Sequence, residues 1–312
     1  VKILLTGGAG FIGSHLADRL LAGGHSVVCV DDLSLGRKSN IAHNLANKRF
    51  AFVKTDVSDL KKLSAVFKKH KFDCVFHLAA NSDIQAGGKC PDIDLSRTFM
   101  TTYTVLEAMR LHGVKKLVFA STSAVYGEAE KPLREDMRTR PVSLYGAGKL
   151  SSEAWISAFC ENFDMQAWVL RFPNVVGSRA THGVIFDFLR KLKKDPSRLP
   201  VLGNGKQKKP YLHVSDLVDG ILFVFNHAKE RYNCYNIAGR GATTVSDIAK
   251  LCVAAAGLKN VRLEYTGSDR GWKGDVPRFS YDLSAITKLG WKSSMDSTKV
   301  VERAAKEIAS EI

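Results

Sequence analysis

The chain has 312 residues, 45% of them hydrophobic, and a formal net charge of +15. That length supports a large buried core in one large domain or two unequal ones. It contains no run of eighteen apolar residues of the kind that marks a membrane-spanning helix.

The six cysteines, at 29, 74, 90, 160, 234 and 252, include no CxxC pair and read as reduced, buried thiols. The basic residues are spread along the chain, in short clusters at 61–62, 68–69, 190–194 and 206–209. No aromatic-interleaved basic stripe accompanies them, so no nucleic-acid partner is expected. The charge suits a solvated basic surface and anionic small ligands. Residues 1–10 read as a strand entering a glycine loop, not as a secretory leader, so a cytoplasmic protein without membrane contact is expected.

In chain order, Lys2–Thr6 is a strand and Phe11–Leu21 a helix. Strands follow at Ser26–Val30, Phe50–Lys54, Cys74–Leu78 and Leu117–Ser121, with helical segments between them. Such alternation of short apolar runs with helices predicts an α/β fold, a Rossmann-type doubly wound parallel sheet. Val142–Phe163 reads as a long helix and Ala167–Arg171 as the next strand. Beyond Phe172, Gly and Pro become frequent and the alternation weakens, so a smaller C-terminal α/β domain of short elements is expected. Helices are expected there at Val214–Phe225, Val245–Ala256 and Ser297–Ile312. The expected boundaries are 1–172 and 173–312, with about 211–237 rejoining the first domain.

The segment TGGAGFIG (6–13) joins the first strand to the first helix. Gly8, Gly10 and Gly13 satisfy GxGxxG; Gly7, Gly10 and Gly13 satisfy GxxGxxG. Glycines there allow a tight turn, close backbone approach to a pyrophosphate, and close helix–strand packing. The helix N-terminus then receives the anion. Asp31 ends the second strand at the distance where an acid holds the adenosine ribose, which favours NAD over its 2′-phosphorylated form.

Tyr145 and Lys149 are spaced i, i+4 and share a helix face. A lysine cation and an oxidised nicotinamide would favour the phenolate, so the tyrosine could take a hydroxyl proton while hydride leaves the same carbon. Ser121, Thr122 and Ser123 stand at the carboxyl end of the fifth strand, where ligands of open α/β sheets gather. No His, Cys or carboxylate set has metal-ligand spacing. His77 reads as a packed core histidine, His213 as structural, and the four tryptophans as packing residues, with Trp272 beside Arg270 worth watching.

The stretches TGGAGFIGSHL (6–16), HLAA (77–80), STSAVYGE (121–128), YGAGK (145–149) and RFPNVVG (171–177) resemble the extended short-chain dehydrogenases/reductases, NAD-dependent epimerase/dehydratase family. Later stretches, GNGKQKKPYLHVSDL (203–217), DRGWKGDVP (269–277) and LSAITKLGWK (283–292), resemble its archaeal and bacterial UDP-glucose 4-epimerase branch.

The resemblance implies that Gly7, Gly10, Phe11, Ile12 and Gly13 bind the NAD pyrophosphate. Asp31, with Asp32, Leu33 and Ser34, would meet the adenosine ribose, and Asp56 and Val57 the adenine. Leu78, Ala79, Ala80, Ser121 and Pro173 would line the cofactor, and Lys149 would hold the nicotinamide ribose. Tyr145 becomes the acid/base, assisted by Thr122. A UDP-hexose would meet Ser82, Thr122, Ser123, Tyr145, Asn174, His182, Gly183, Val184, Val201, Gln207, Lys209, Tyr211, Arg270 and Asp275.

Related dehydratases carry Asp-Glu after the threonine and related decarboxylases a glutamate; Ser123 and Ala124 stand here, as suits an epimerase needing no extra acid. Thr98, Pro173 and Lys209-Pro210 depart from the family pattern. Phe279 falls near a gate position where a large ring would crowd an N-acetyl group. The reading is a UDP-glucose/UDP-galactose 4-epimerase, homodimeric through the helices near 91–112 and 142–163. The alternatives are a UDP-glucuronate or UDP-N-acetylhexosamine 4-epimerase and, in another class, a Rossmann-fold RNA-binding protein.

Overall fold

The computed structural model describes residues 1–271 and 274–312. The chain divides into two compact units. One comprises Val1–Val125, Thr139–Arg171 and Ile221–Tyr235; the other comprises Tyr126–Arg138, Phe172–Gly220 and Asn236–Ile312. The segment 126–138, expected in the first domain, thus packs within the second unit, and the return is confined to Ile221–Tyr235.

The first unit is built on a seven-stranded sheet. Its strands are β1 (Lys2–Thr6), β2 (Ser26–Asp31), β3 (Phe50–Lys54), β4 (Cys74–His77), β5 (Lys116–Thr122), β6 (Gln166–Phe172) and, from the far end of the chain, the strand Tyr232–Asn236. The order from that last strand is β6-β5-β4-β1-β2-β3, and the pairings from β3 through β5 are parallel. The order reverses between β1 and β4, the point where α/β sheets open a ligand crevice.

The helices of this unit are α1 (Phe11–Ala22), α2 (Leu60–His70), α3 (Ile84–Lys89), α4 (Pro91–Asp94), α5 (Thr101–Leu111) and α6 (Leu144–Phe163). Leu4, Val28, Val75, Phe119 and Val169 of the sheet pack with Leu63, Phe67, Leu106 and Ile156 of the helices. Burial on both faces explains why these strands read as continuous apolar runs. The α6 helix starts two residues later than expected because Ser143 is its extended cap, accepting the Gly146 N–H at 3.1 Å. A π-helical turn at Leu95–Met100 separates α4 from α5. Hydrophobic spacing did not announce it.

The second unit has the short strands β7 (Asn174–Val176), β8 (Arg198–Val201), β9 (Lys208–Lys209) and β10 (Tyr211–His213). It also has α7 (Val184–Lys194), α9 (Val245–Ala255), α10 (Ser284–Leu289) and α11 (Ser297–Glu311), while α8 (Val214–His227) leads back toward the first unit. The α11 helix packs on α7, α9 and β10 and is capped by Asp296, which accepts the Thr298 and Lys299 N–H groups at 3.1 Å. The eleven-residue α7 helix lies where the sequence suggested turns and short elements. Its buried face, Ile185, Phe188, Leu189 and Leu192, has helical spacing that the surrounding glycines and prolines obscure.

Cysteines 29, 74, 160 and 252 are buried free thiols, Cys234 is half-buried, and Cys90 is exposed, against the expectation for it. Among the described residues no helix is long and apolar enough to cross a membrane.

Candidate active site

The glycine loop follows β1 at the reversal point. Gly7 has φ +67°, and a Cβ there would lie 2.7 Å from the Ala79 N. A Cβ at Gly13 would strike the Gly7 carbonyl and come within 2.7 Å of the Gly8 Cα. These two positions therefore require glycine. Gly10 is the N-cap of α1 and no side chain caps it, so the N–H groups of Phe11, Ile12 and Gly13 have no partner within the helix.

Asp31 is 7% exposed. Its Oδ2 accepts the Ala9 N–H at 3.0 Å and its Oδ1 the Leu33 N–H at 2.8 Å. Burial raises its pKa, against the lowering effect of those two bonds. The carboxylate thus braces the loop, and each oxygen keeps a lone pair for another donor. Beyond it, Asp32 holds Ser34 through the Ser34 N–H (2.8 Å) and hydroxyl (2.7 Å), and Leu33 sits at φ 64°. Exposed Asp56 and buried Val57 follow β3; half-buried Leu78, Ala79 and Ala80 follow β4. The Leu78 and Ala79 N–H groups bond the Thr6 carbonyl (3.2 Å) and hydroxyl (3.3 Å), placing that segment against the loop.

At the end of β5, Thr122 accepts the Ala124 N–H at 3.1 Å and hydrogen bonds to the Tyr145 side chain. Lys149 is 2% exposed. Its Nζ donates to the Ala120 carbonyl at 2.7 Å and lies 4.6 Å from the Phe119 ring centre and 6.0 Å from that of Tyr145. Burial pushes the Lys149 pKa down to about 7, partly opposed by Glu153 and Asp94. Burial and the Asp94 carboxylate raise the Tyr145 pKa, against the Thr122 hydrogen bond. The expectation that the lysine lowers the phenol is therefore not met by the protein groups alone. Ser123 is half-buried beside this pair, and Ser82 is exposed after β4. Ser121 is turned elsewhere: its hydroxyl donates to Glu153, which also receives Arg171 through Nε (3.0 Å) and Nη2 (2.5 Å). That hydroxyl is engaged with the buried Glu153–Arg171 pair.

His77 is fully buried, with Nδ1 2.6 Å from the Thr6 hydroxyl and Nε2 3.1 Å from that of Thr102. Burial drives its pKa down to about 3, so it is a neutral packed residue.

In the second unit, Lys209 and Asp275 form an ion pair, and Asp275 also accepts the Gly271 N–H at 3.0 Å. Arg270 Nη1 reaches Glu128 at 2.7 Å and the Asp275 carbonyl at 3.4 Å. Lys209, Arg270 and Asp275 thus come together. Gln207 is 2% exposed, and its Oε1 has no hydrogen-bond partner among the described residues. Val201 (0%) and Tyr211 (3%) are core residues whose side chains are packed inside.

His182 and Gly183 are exposed at the start of α7, with Val184 half-buried and Gly183 at φ +104°. Asn174 is exposed on β7 and Pro173 is buried before it. Phe279 instead lines a cavity with Tyr281, Arg240, Leu283 and Trp291, to which none of the expected sugar residues contributes. Its expected gating of the sugar is not supported by that placement. His213 binds Ser215 (2.7 Å) and Glu307 (3.0 Å), a structural role. Trp272 lies outside the described residues.

The model of the NAD dependent epimerase/dehydratase family matches residues 3–238. The chain belongs to this family.

Its similarity to individual members spans most of the chain. The UDP-glucose 4-epimerase of Mycolicibacterium smegmatis is 36% identical over 228 residues, covering 71% of this chain and 72% of that protein. A crystal structure of a UDP-galactose 4-epimerase superposes with TM-score 0.89 at 34% identity over 100% of both chains. The UDP-glucuronic acid 4-epimerase of Bacillus cereus, solved with UDP-glucuronic acid and NAD, superposes with TM-score 0.90 at 28% identity, again over 100% of both.

The chain is an NAD-dependent epimerase on an α/β Rossmann-type fold. NAD fits the first unit on its own terms. The loop excludes side chains where a pyrophosphate approaches, the α1 N-terminus is uncapped, and Asp31 is fixed at the end of β2. Three members of the centre, Asn81, Asp94 and Glu153, escaped sequence reading. Glu153, four residues past Lys149 on the same helix face, was the one with a signal.

Proposed function

We propose that this epimerase inverts C4 of a UDP-linked hexose, with UDP-glucose/UDP-galactose as the preferred pair. The observation that carries the reading is the Thr122–Tyr145–Lys149 arrangement at the end of β5, followed by Ala124, which brings no acid to the site. NAD, when bound, supplies reversible hydride acceptance at the sugar carbon. Tyr145 Oη takes the C4 hydroxyl proton and returns it, with Thr122 steadying the phenol by hydrogen bonding. Lys149 contributes the positive charge that favours the phenolate and holds the ribose side of the cofactor.

In this reading the first unit is the NAD domain and the second the nucleotide-sugar domain. Asn174 and the Lys209–Arg270 pair attract the diphosphate there, with Gln207, Asp275 and the start of α7 at the sugar. Incubating the protein with UDP-galactose, UDP-glucuronate and UDP-N-acetylglucosamine, with products read by NMR, tests it. Turnover of UDP-galactose to UDP-glucose is expected to be fastest. Preference for either other sugar would reassign the substrate. Tyr145→Phe is expected to lose about 10²–10⁴-fold in kcat with NAD retained.

We also propose a homodimer through the helical stretch 91–112 and α6. Leu95 and Met100 of the π-helical turn and Trp155 of α6 are exposed by 56%, 38% and 43%, and Trp155 contacts the Phe99, Tyr103 and Phe159 rings. A dimer by sedimentation at micromolar concentration is expected; a monomer would refute it.

A further inference from the structure

The cavity of the second unit that holds Phe279 has a volume of about 940 Å³, and the epimerase reaction described above gives it no task. Its wall is assembled from four parts of that unit: 129–131, Lys208, 238–242 and residues between 278 and 293. Backbone hydrogen bonds fix each part. The Leu133 N–H bonds the Ser280 carbonyl at 2.8 Å and the Asp282 N–H bonds the Leu133 carbonyl at 3.0 Å, which sets 129–131 beside Tyr281. The Lys208 N–H bonds the Pro277 carbonyl at 2.8 Å. The Ser297 N–H bonds the Arg240 carbonyl at 2.9 Å, and a Cβ at Gly239 would lie 3.5 Å from the Ser293 hydroxyl, so the 238–242 loop lies against the 292–295 segment. The fold itself therefore builds this cavity, and a ligand would not have to order it.

The floor is apolar and aromatic. Ala238 and Ile286 are fully buried, Trp291 is buried, and the Phe279 and Tyr281 rings meet edge to face with centroids 5.9 Å apart. The rim is cationic: Lys131, Lys208, Arg240, Arg278 and Lys292, all exposed, surround it with Glu130 as the one carboxylate of the lining. Arg278 lies 3.6 Å from Asp269, and among the described residues no ion pair engages the other four cations. The neighbouring acids are committed to backbone. Asp282 accepts the Ser284 N–H at 2.9 Å, and Asp296 accepts the Thr298 and Lys299 N–H groups at 3.1 Å. Successive residues of a strand point to opposite faces, and Lys209, next to Lys208 on β9, is the one paired with Asp275. Lys208 thus leaves β9 on the side away from the proposed sugar residues.

We propose that this cavity is a second ligand site, taking a nucleoside diphosphate with its base on the Phe279, Tyr281 and Trp291 rings and its phosphates on Lys208, Arg240 and Lys292. The volume lies within the range of small-molecule pockets, roughly 300–1,000 Å³, which suits a nucleotide and not a macromolecular surface. Aromatic rings offer stacking platforms to a base. The Arg240 guanidinium presents a fork to phosphate oxygens, and the lysines add point charges. An inorganic anion would leave the rings unused, and an apolar ligand would leave the cations unanswered. A solvated basic face needs no aromatic floor. The site shares no residue with Tyr145, Lys149 or the proposed sugar contacts, so it does not depend on which sugar is turned over.

The test is calorimetric titration of the NAD-loaded enzyme with ADP and, separately, with inorganic diphosphate. ADP is expected to bind at about one equivalent with a Kd below roughly 1 mM, and diphosphate about tenfold more weakly. Arg240→Ala combined with Lys292→Ala is expected to weaken ADP about tenfold or more, with turnover and thermal midpoint unchanged. Lys131→Ala, on a separate part of the wall, is expected to weaken it in the same direction. Lys209→Ala combined with Asp275→Asn, which alters the proposed sugar site, is expected to leave ADP binding as it is. No ADP binding, or binding that the Arg240/Lys292 variant leaves intact, would overturn the proposal. Loss of binding in the Lys209/Asp275 variant alone would place ADP in the sugar site and overturn it equally. Diphosphate binding as tightly as ADP would remove the base from the rings and with it the nucleotide.

Discussion

Among the described residues each unit holds a buried carboxylate paired with a basic side chain, and the two pairs are built differently. In the first, Arg171 forks onto both oxygens of Glu153, with side chains 7% and 4% exposed, and Ser121 adds a third donor. The geometry is planar, bidentate and closed by β5, β6 and α6. In the second, Lys209 meets Asp275 as a point charge on a flexible stem, at 13% and 3% exposure. Beside it Arg270 pairs with Glu128 at the surface, 45% and 51% exposed. A closed fork resists exchange, whereas a lysine with an exposed arginine neighbour can trade partners for a diphosphate. The first pair belongs to the scaffold that holds the Tyr145 helix; in the proposed reading the second belongs to a site that opens and refills.

The largest expected effect breaks the scaffold pair. Arg171→Leu leaves Glu153 buried with Ser121 as its remaining partner and should destabilise the fold by about 3–5 kcal/mol, read as a fall in thermal midpoint. Glu153→Gln combined with Arg171→Leu should recover part of that loss, since no orphan charge remains.

A second effect comes from His77 in the same unit. Its folded pKa, about 3, lies below its unfolded value. Its contribution to stability is therefore complete above the unfolded value near 6.5 and is lost as pH falls from there toward 3. The slope is at most about 1.4 kcal/mol per pH unit. His77→Gln should flatten the acid side of the stability–pH curve; an unchanged slope would place the acid sensitivity elsewhere.

The smallest effect is in the second unit. Lys209→Ala combined with Asp275→Asn, which leaves no orphan charge buried, should raise KM about tenfold, roughly 1.4 kcal/mol of binding, with kcat and thermal midpoint little changed. A large loss of stability there would make the second pair a scaffold pair too, and the contrast would disappear.

The same contrast governs what was legible beforehand. The parallel strands of the first unit are buried on both faces, so their apolar runs stand out, and Gly7, Gly13 and Asp31 carry their chemistry in their spacing. Tyr145 and Lys149 were legible because one helix presents both. Asp94 and Asn81 were not, because Asp94 sits on the four-residue α4 and Asn81 in the loop after β4, neither long or regular enough to show a periodicity. The bond of the Ser121 hydroxyl to buried Glu153 was not legible, because a hydroxyl at a strand end looks alike in sequence whichever group it meets. In the second unit, strands of two to four residues such as β9 and β7 leave no periodic trace, and α7 was lost among glycines and prolines. Phe279 was assigned from local sequence likeness, which does not say which way a ring turns.

The central claim is that hydrogen leaves C4 as hydride, is kept away from water, and returns to the opposite face while Tyr145 handles the proton. Running the reaction to equilibrium in D₂O with the best substrate of the panel tests this directly by proton NMR. The account predicts that the product keeps protium at C4. Deuterium at C4 appearing in step with turnover would contradict it.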